Sequence, residues 1–376
     1  MNQSAVRRVN TSVILRALAV SAGPMTLTAL AERAGLSRRT NELILDSLIE
    51  AGWVTELDRV PTSGSAGRPA RRYELRAEHA LLAAVYLTTS DASAVIADVR
   101  GRILGRAHRP LRAYQDPQAT LDDAAALVRE ALDDAGGSVD RLRAGAVAAG
   151  GAIDDDGVVR RLVHTTHWEG VHLPNELGRR LPMPWFADND TNLGALAERW
   201  RGVAGDHDNV VWAVLGNRTG LGILIRGAVH RGLDGAAGEI VEAGSIPVGS
   251  VENHPVAWLT SPEADQRRVA LGRFDAARAG DAEALTEVDE FVDNITSILT
   301  TLSWTVAPSL IVLGGGLEEA ADVLLPRVRE AMRDARTPAI ELRATVLGRD
   351  AALIGAVKMA LDRMDTELFG PLAPSA

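Results

Sequence analysis

Residues 215–239 read Leu215-Gly-Asn-Arg-Thr-Gly-Leu-Gly-Ile-Leu-Ile-Arg-Gly-Ala-Val-His-Arg-Gly-Leu-Asp-Gly-Ala-Ala-Gly-Glu239, with seven glycines among short apolar runs. Residues 213–215 and 223–225 are predicted strands. Residues 218–222 between them are predicted to form a tight turn, where missing Cβ atoms allow positive φ or the close approach of a ligand. Structural hairpins use the same residues, so this stretch alone leaves a ligand loop and a structural hairpin open.

Two further motifs accompany this stretch. Asp188-Asn-Asp-Thr-Asn192 precedes it, and Ile311-Val-Leu-Gly-Gly-Gly-Leu317 follows it. Together with Gly232-Leu-Asp-Gly-Ala-Ala-Gly-Glu239 they resemble, in order and wording, the ROK family of repressors, open reading frames and sugar kinases, over roughly residues 80–365. The resemblance implies a multi-domain α/β protein with a two-lobed, ribonuclease H-like body of the actin-like ATPase and sugar kinase type.

Length and composition bound the class of protein. A chain of 376 residues exceeds what one hydrophobic core usually serves, so two or three domains are expected. The absence of a long apolar run and of a basic-then-apolar leader predicts a soluble, cytoplasmic protein with no membrane partner. Zero cysteines exclude disulfides and cysteine-ligated zinc.

The charge is divided unevenly. Residues 1–78 contain 11 Arg and 8 Asp or Glu, a balance of +3, which leaves −13 for the remainder of the −10 total. The basic part of the chain is therefore its amino-terminal part.

Residues 1–78 are predicted to form a winged helix-turn-helix domain. Helices are predicted over residues 11–21, 26–34 and 37–51, with a glycine turn before the third, which is helix-turn-helix spacing. The third helix is predicted to begin at a Ser37 cap. Its inward face is predicted to consist of Leu43, Ile44, Leu48 and Ile49.

The predicted DNA contacts lie on the third helix and on a basic hairpin. The first turn of a recognition helix enters the major groove, so the predicted base or phosphate contacts there are Arg38, Arg39, Thr40 and Asn41. Strands over residues 53–56 and 72–75 enclose a slim Gly- and Ser-rich wing, whose predicted phosphate or minor-groove contacts are Arg68, Arg71 and Arg72. A three-helix packing module would not explain this basic hairpin, so the sequence favours double-stranded DNA as a partner.

By the resemblance, residues 79–192 form the first lobe of the body, completed by a helix over residues 350–370, and residues 193–349 form the second lobe. In ROK kinases two glycine-rich turns cradle the ATP phosphates. The first turn here has Tyr86 at the family's acidic position and Thr88-Thr-Ser90 in place of Gly-Gly-Thr, followed by Asp91. The second has become Arg218-Thr-Gly-Leu-Gly-Ile-Leu224. These departures predict a body that is not an enzyme.

A ligand cleft is implied by the same resemblance. Asp190 matches the base that deprotonates the sugar hydroxyl in the kinases, while Asn189 and Glu239 match residues that bind sugar hydroxyls. The alternative is that Asp190 or Asn192 only caps the helix that follows.

Other cleft positions depart from the family pattern. The predicted ligand residues at altered positions are Gly151, His164 and Glu242. The family's zinc-binding His and its cysteine cluster are absent, so no metal and no cofactor is predicted. Gly314-Gly315-Gly316 is kept, and either strand-to-helix packing or nucleotide contact explains it.

The sequence therefore predicts a DNA-binding transcriptional regulator, a repressor, that senses a sugar-like or other polar small-molecule effector without phosphorylating it. A homodimer or a dimer of dimers is expected, because such regulators read paired half-sites. Two alternatives stay open: a constitutive DNA-binding protein whose body only dimerises, and an ATP-dependent sugar kinase with an additional domain.

Overall fold

The structure, a computed structural model, describes residues 3–57, 71–111, 113–162, 165–243 and 254–369. Its amino-terminal part has three helices and a three-stranded sheet of order β1-β3-β2. The elements are α1 Gln3–Ala19, β1 Met25–Thr26, α2 Leu27–Ala34, α3 Arg38–Glu50, β2 Val54–Leu57 and β3 Arg72–Leu75. The predicted helix-turn-helix and its paired wing strands are confirmed, although α1 begins at Gln3 rather than at Thr11.

Side-chain and glycine caps fix the bounds of α2 and α3. The Thr26 hydroxyl accepts from the Ala29 amide at 3.2 Å, so Thr26 is the cap of α2 rather than its first residue. Gly35 ends α2 in the left-handed region at φ 62°. Ser37 caps α3 as predicted, by accepting from the Thr40 amide at 3.1 Å.

The inward face of α3 differs from the predicted one. Leu43 is 51% exposed, and Leu45 is buried in its place beside Ile44 and Leu48. The buried positions 41, 44, 45 and 48 follow the i, i+3, i+4, i+7 pattern of one helix face. Asn41 opens this pattern, and a periodicity judged from apolar residues alone missed its phase.

The first lobe of the body contains a five-stranded sheet of order β10-β7-β4-β5-β6, antiparallel among β4, β5 and β6 and parallel among β4, β7 and β10. Its strands are nearly continuous apolar runs, because helices cover both faces. The elements are β4 Leu81–Leu87, β5 Asp91–Asp98, β6 Ile103–Pro110, α4 Pro117–Asp134, β7 Leu142–Ala149, β8 Ala152–Ile153, β9 Val159–Arg161, α5 Leu173–Arg180 and β10 Trp185–Asn189.

The second lobe repeats this topology in a sheet of order β13-β12-β11-β14-β15. In each sheet the first three strands are antiparallel neighbours and the last two are added in parallel. The predicted α/β body of two related lobes is therefore confirmed. The elements are α6 Asp190–Arg201, β11 Val210–Val214, β12 Gly220–Ile225, β13 Ala228–Val229, α7 Ala264–Arg278, α8 Ala282–Thr305, β14 Leu310–Leu313, α9 Ala321–Asp334, β15 Glu341–Ala344 and α10 Ala351–Phe369.

The helix-turn-helix domain packs directly on the first lobe. One continuous core contains Ile14 and Leu18 of α1, Leu82 of β4, and Leu353 and Met364 of α10. The two parts therefore share buried apolar surface, which couples their positions. Among the described residues, no helix is both long and apolar enough to cross a membrane.

Several glycines of residues 215–239 allow another backbone segment to approach closely. A Cβ on Gly222 would overlap the Thr191 carbonyl oxygen at the start of α6. A Cβ on Gly235 would overlap the Ile153 carbonyl oxygen, and one on Gly238 that of Leu221. The stretch therefore brings the second sheet against α6 and the first lobe. The connection between β11 and β12 is residues 215–219, since β12 already begins at Gly220.

Gly222→Ala should lower the free energy of unfolding by about 1–3 kcal/mol, because the added methyl group must push two backbones apart. The matched control is Gly272→Ala in α7, where an added Cβ meets no atom within 4 Å. That change should raise stability by about 0.5–1 kcal/mol, since alanine favours a helix interior over glycine. Urea unfolding measures both, and wild-type stability of Gly222→Ala would contradict the close contact.

Candidate ligand cleft and DNA-binding surface

Polar groups meet at the carboxyl end of β10, where α6 begins. The side-chain oxygen of Asn189 caps α6 by accepting from the amides of Thr191 at 2.7 Å and Asn192 at 3.3 Å. The Asn189 amide nitrogen donates to the Gly151 carbonyl at 2.9 Å and to Glu239 Oε1 at 3.0 Å. The helix cap is therefore Asn189 rather than Asp190 or Asn192, and the same side chain holds Glu239 in place.

A cavity of about 290 Å³ opens beside this cluster. Its size is at the lower end for a small-molecule site, which suits a ligand such as a monosaccharide. The walls bring together four of the predicted ligand residues, Gly151, Asn189, Asp190 and Glu239. His164 and the side chain of Glu242 lie outside the described residues, so the binding roles of all six stay predictions.

Asp190, the first residue of α6, is held by an arginine of the second lobe that also bonds a tyrosine of the first lobe. Arg218, in the connection between β11 and β12, donates from Nη2 to Asp190 Oδ2 at 2.7 Å and to the Tyr86 hydroxyl at 2.7 Å. The Tyr86 hydroxyl donates in turn to Asp190 Oδ2 at 2.9 Å. These three side chains form a closed triangle that joins the two lobes across the cleft.

Burial and charge fix the protonation states of the two partners of Asp190. Burial raises the pKa of the Tyr86 hydroxyl well above its usual range, which keeps this group neutral. Burial alone would lower the pKa of Arg218, but the adjacent Tyr86 and Asp190 outweigh it and raise the pKa. The cleft therefore contains a permanent cation at the carboxylate that would have to accept a proton in a kinase.

A second charge pair joins Asp188, in β10, to Arg231. Asp188 is fully buried, accepts from Asn192 Nδ2 at 2.9 Å and pairs with Arg231 Nη2 at 2.6 Å. Burial raises the pKa of the Asp188 carboxyl, while Arg231 and Asn192 oppose that rise. Because Arg231 follows β13, this pair also ties the second lobe to the carboxyl end of β10.

The turn after β4 satisfies its own amides. The Thr88 hydroxyl accepts from the amides of Ser90 at 3.3 Å and Asp91 at 3.0 Å, and the Ser90 hydroxyl donates to Asp91 Oδ2 at 2.9 Å. Amides that would cradle a phosphate in a glycine turn are therefore occupied by side-chain oxygens, beside a carboxylate.

Beyond the triangle lies a second cavity of about 420 Å³. Asp190 and Arg218 line both cavities and so form the partition between them. The kept glycines at this side are explained by packing: a Cβ on Gly314 would lie 2.5 Å from the Trp212 ring, and one on Gly315 2.7 Å from Val214. Their retention does not require a nucleotide.

Sequence reasoning missed two residues of the cleft. Arg218 stands where the family has a glycine, and the sequence pattern gave it no role of its own. Its positive charge is the signal that could have identified it as the partner of Asp190. Tyr114 also lines the first cavity, where its ring packs on Trp168 at 5.3 Å between centroids and Trp168 Nε1 donates to its carbonyl at 2.8 Å. Tyr86 and Tyr114 are two of only three tyrosines in the chain, a signal that was available.

The start of α3 presents two exposed arginines to solvent. Arg39 is exposed, and the Arg38 side chain is 73% exposed with a long 3.4 Å contact to Glu42. Thr40 is half-buried, and its hydroxyl bonds the Ser37 hydroxyl at 2.8 Å. The geometry suits groove and phosphate contacts from Arg38 and Arg39, which stay predictions.

Asn41 requires a correction, because it is fully buried. Its amide nitrogen donates inward to the carbonyls of Leu36 at 3.1 Å and Ser37 at 3.0 Å. Asn41 therefore fixes the turn before α3 and does not reach DNA.

Of the predicted wing contacts, Arg71 is exposed beside β3 and pairs with Glu56 at 3.2 Å. Arg72 is half-buried and lies within β3, opposite Leu57. Arg68 lies outside the described residues.

Both parts of the chain are similar to known proteins. The ROK family model matches residues 83–253 and 262–363, and the IclR helix-turn-helix domain model matches residues 9–58. The xylose repressor of Bacillus spizizenii is 21% identical over 96% of this chain and 97% of its own length. A glucokinase of Thermotoga maritima is 29% identical over 58% of this chain and 79% of its own length. Among solved structures, a ROK family transcriptional regulator, a homologue of the Escherichia coli MLC protein, superposes with a TM-score of 0.69 over 97% of this chain and 98% of its own, at 19% identity.

A helix-turn-helix domain joined to a two-lobed, kinase-like body defines a transcriptional regulator. The chain belongs to the ROK family.

Arg218→Met should lower the free energy of unfolding by about 1–3 kcal/mol, because it leaves the Asp190 carboxylate without its cation. Asp190→Asn added to that variant should recover part of the loss, which gives a favourable coupling in a double-mutant cycle. The exposed pair Asp265 and Arg268 is the matched control and should show coupling near zero. Additive effects at Asp190 and Arg218 would rule out the cleft ion pair.

Proposed function

We propose that this protein is a repressor that binds operator DNA through its winged helix-turn-helix domain and releases it when a carbohydrate-like metabolite enters the cleft. The observation that supports a sensor rather than an enzyme is the Asp190–Arg218–Tyr86 triangle. It retains a polar cavity for the metabolite while closing the path along which a phosphoryl group would travel. The name of the full-length relative, a xylose repressor, agrees with this reading.

DNA binding is assigned to Arg38 and Arg39 of α3 and to Arg68, Arg71 and Arg72 of the wing. Neutralising phosphates releases counterions, so each phosphate contact adds to the salt dependence of affinity. The negative remainder of the chain confines this contact to the amino-terminal domain.

The double variant Arg38→Ala, Arg39→Ala should weaken operator binding at least tenfold and flatten the slope of log K against log salt by about one to two. The matched control is Arg268→Ala on α7, an exposed arginine of the body whose loss should leave both quantities unchanged. Fluorescence anisotropy at several salt concentrations measures the slope. An unchanged slope in the double variant would remove α3 from the DNA interface.

One alternative is an ATP-dependent sugar kinase, and the glucokinase relative favours it. Three observations weigh against it: the amides after β4 are occupied, Arg218 pairs with the candidate base, and the kept glycines pack against Trp212 and Val214. A general base must be free to take the proton of the attacking hydroxyl.

The second alternative is a constitutive DNA-binding protein whose body only dimerises. The cavity beside Asn189 and Glu239 favours the sensor, because a body that only dimerises needs no polar cavity. We propose a homodimer, since two half-sites about one helical turn apart require two recognition helices. A ligand changes operator affinity only if it binds the DNA-competent and incompetent states with different free energies.

Wild-type protein should bind one or more members of a panel of neutral sugars, sugar acids and sugar phosphates, and the bound compound should weaken operator affinity. Asp190→Ala and Glu239→Ala should abolish that response, because both residues line the cavity, and each variant should still form the operator complex without ligand, because neither residue belongs to the helix-turn-helix domain. Thermal shift finds the compound, and a ligand at 100 times its Kd should add about 2.7 kcal/mol of stability. The same compound with ATP and magnesium should give no ADP.

Two results would contradict this account. Sugar-dependent ADP release that disappears in Asp190→Asn would restore the kinase. Full responsiveness in both alanine variants would place the sensor outside this cleft.

A further inference from the structure

Helix α6 runs from the ligand cleft to the turn between β5 and β6, which contacts the DNA-binding domain. Its first residue, Asp190, forms the triangle with Arg218, and its cap, Asn189, holds Glu239. Its last residue is Arg201, and 12 residues of α-helix span about 18 Å. One end of this rigid element thus lies at the cleft, and the other end lies at the turn between β5 and β6.

The backbone of α6 packs closely against the backbones of two neighbouring elements. A Cβ on Gly222 of β12 would overlap the Thr191 carbonyl oxygen, and a Cβ on Gly355 of α10 would overlap that of Leu193. With backbone against backbone on two sides, a displacement of the amino-terminal end cannot be absorbed by side-chain rotamers. Any displacement of α6 must therefore alter its backbone contacts with β12 or α10.

The carboxyl end of α6 grips the turn after β5. Arg201 donates from Nη1 to the Gly101 carbonyl and from Nη2 to the Arg100 carbonyl, both at 2.7 Å. Its guanidinium lies 3.8 Å from the centroid of the Trp200 ring, which itself packs on Gly101. The planar fork of arginine suits this double contact, which a lysine cannot make with one nitrogen position.

The gripped turn is stiff and reaches the DNA-binding domain. The buried Asp98 carboxylate accepts from the amides of Arg100 and Arg102, each at 2.9 Å, which fixes the turn. Arg100 Nη1 then donates to the carbonyl of Ser21 at 2.6 Å, just beyond the end of α1. Since α1 packs in one core with α3, a shift at Ser21 reorients the recognition helix.

We propose that α6 is the element that transmits the state of the cleft to the DNA-binding domain, and that Arg201 and Arg100 are its coupling residues. The inference deepens the proposed function, which assigns ligand and DNA to the two ends. Arg201 and Arg100 touch neither ligand nor DNA; they position α1 according to where α6 lies. Loss of the Arg201 or Arg100 contacts leaves both binding surfaces intact and removes the energetic coupling between them.

The test perturbs one end and reads the other, without a metabolite. The probe is the duplex that wild-type protein selects from a randomised pool. Asp190→Asn, and independently Arg218→Met, breaks the triangle at the cleft end, and each should change affinity for the duplex about fivefold or more. In an Arg201→Lys background the same changes should alter affinity for the duplex less than about twofold. A double-mutant cycle resolves a difference of this size.

The matched control is Arg199→Lys, two residues earlier on α6. Arg199 points to the second lobe, where its Nη1 donates to the His207 carbonyl at 2.8 Å and to Asp208 at 3.0 Å. Arg199→Lys should retain the full effect of the cleft changes, and Arg100→Met, which removes the hydrogen bond to Ser21, should lose it as Arg201→Lys does. Arg201→Lys by itself should leave the wild-type affinity for the duplex within about twofold.

Two outcomes would overturn the proposal: cleft changes that act equally in wild-type and Arg201→Lys backgrounds, or cleft changes without effect in the wild-type background. Neither depends on a metabolite. Failure of the sensor function, seen as a metabolite that binds without changing operator affinity, is therefore distinguishable from failure of this route.

Discussion

The ion pair between Arg218 and Asp190 is the interaction on which the cleft depends. It separates the two cavities, places a cation at the carboxylate that would serve as a base and, through Tyr86, joins the two lobes. With Tyr86 as the third member, one carboxylate oxygen already accepts two hydrogen bonds. A ligand hydroxyl that bonds Asp190 Oδ2 must share or break these bonds, which links ligand binding to the relative position of the lobes.

The glycine-rich stretch supports this arrangement by allowing close approach. Gly222 lets β12 meet the first turn of α6, and Gly235 lets the loop after β13 meet β8. Because these contacts are between backbones, the lobes fit in few relative positions. A switch requires lobes that occupy only a few discrete relative positions. The close backbone contacts that restrict the lobes are present here, although the phosphate turns depart from the kinase pattern.

The fold was predictable because it depends on periodicity, caps and apolar strands. The Ser37 cap, the α3 helix and the β4 and β7 strands follow from such local signals. The site was predictable only where motif order fixed it, as for Asn189 and Glu239. The bonds of Arg218 to Tyr86 and Asp190 join residues 132 and 28 positions apart, which no local pattern reveals. Asn41 misled for a related reason: a polar residue at the start of a recognition helix was expected to face DNA, but the preceding turn needed its amide.

The central claim is that cleft and DNA surface share one equilibrium, and linkage makes it testable from the ligand side. The measurement is the Kd, by calorimetry, of the carbohydrate that gives the largest thermal shift, with the protein alone and with the protein saturated by its operator duplex. Thermodynamic reciprocity requires the Kd to change by the same factor by which the carbohydrate changes operator affinity. The account predicts weaker carbohydrate binding to the operator complex, and equal Kd values in the two states would contradict it.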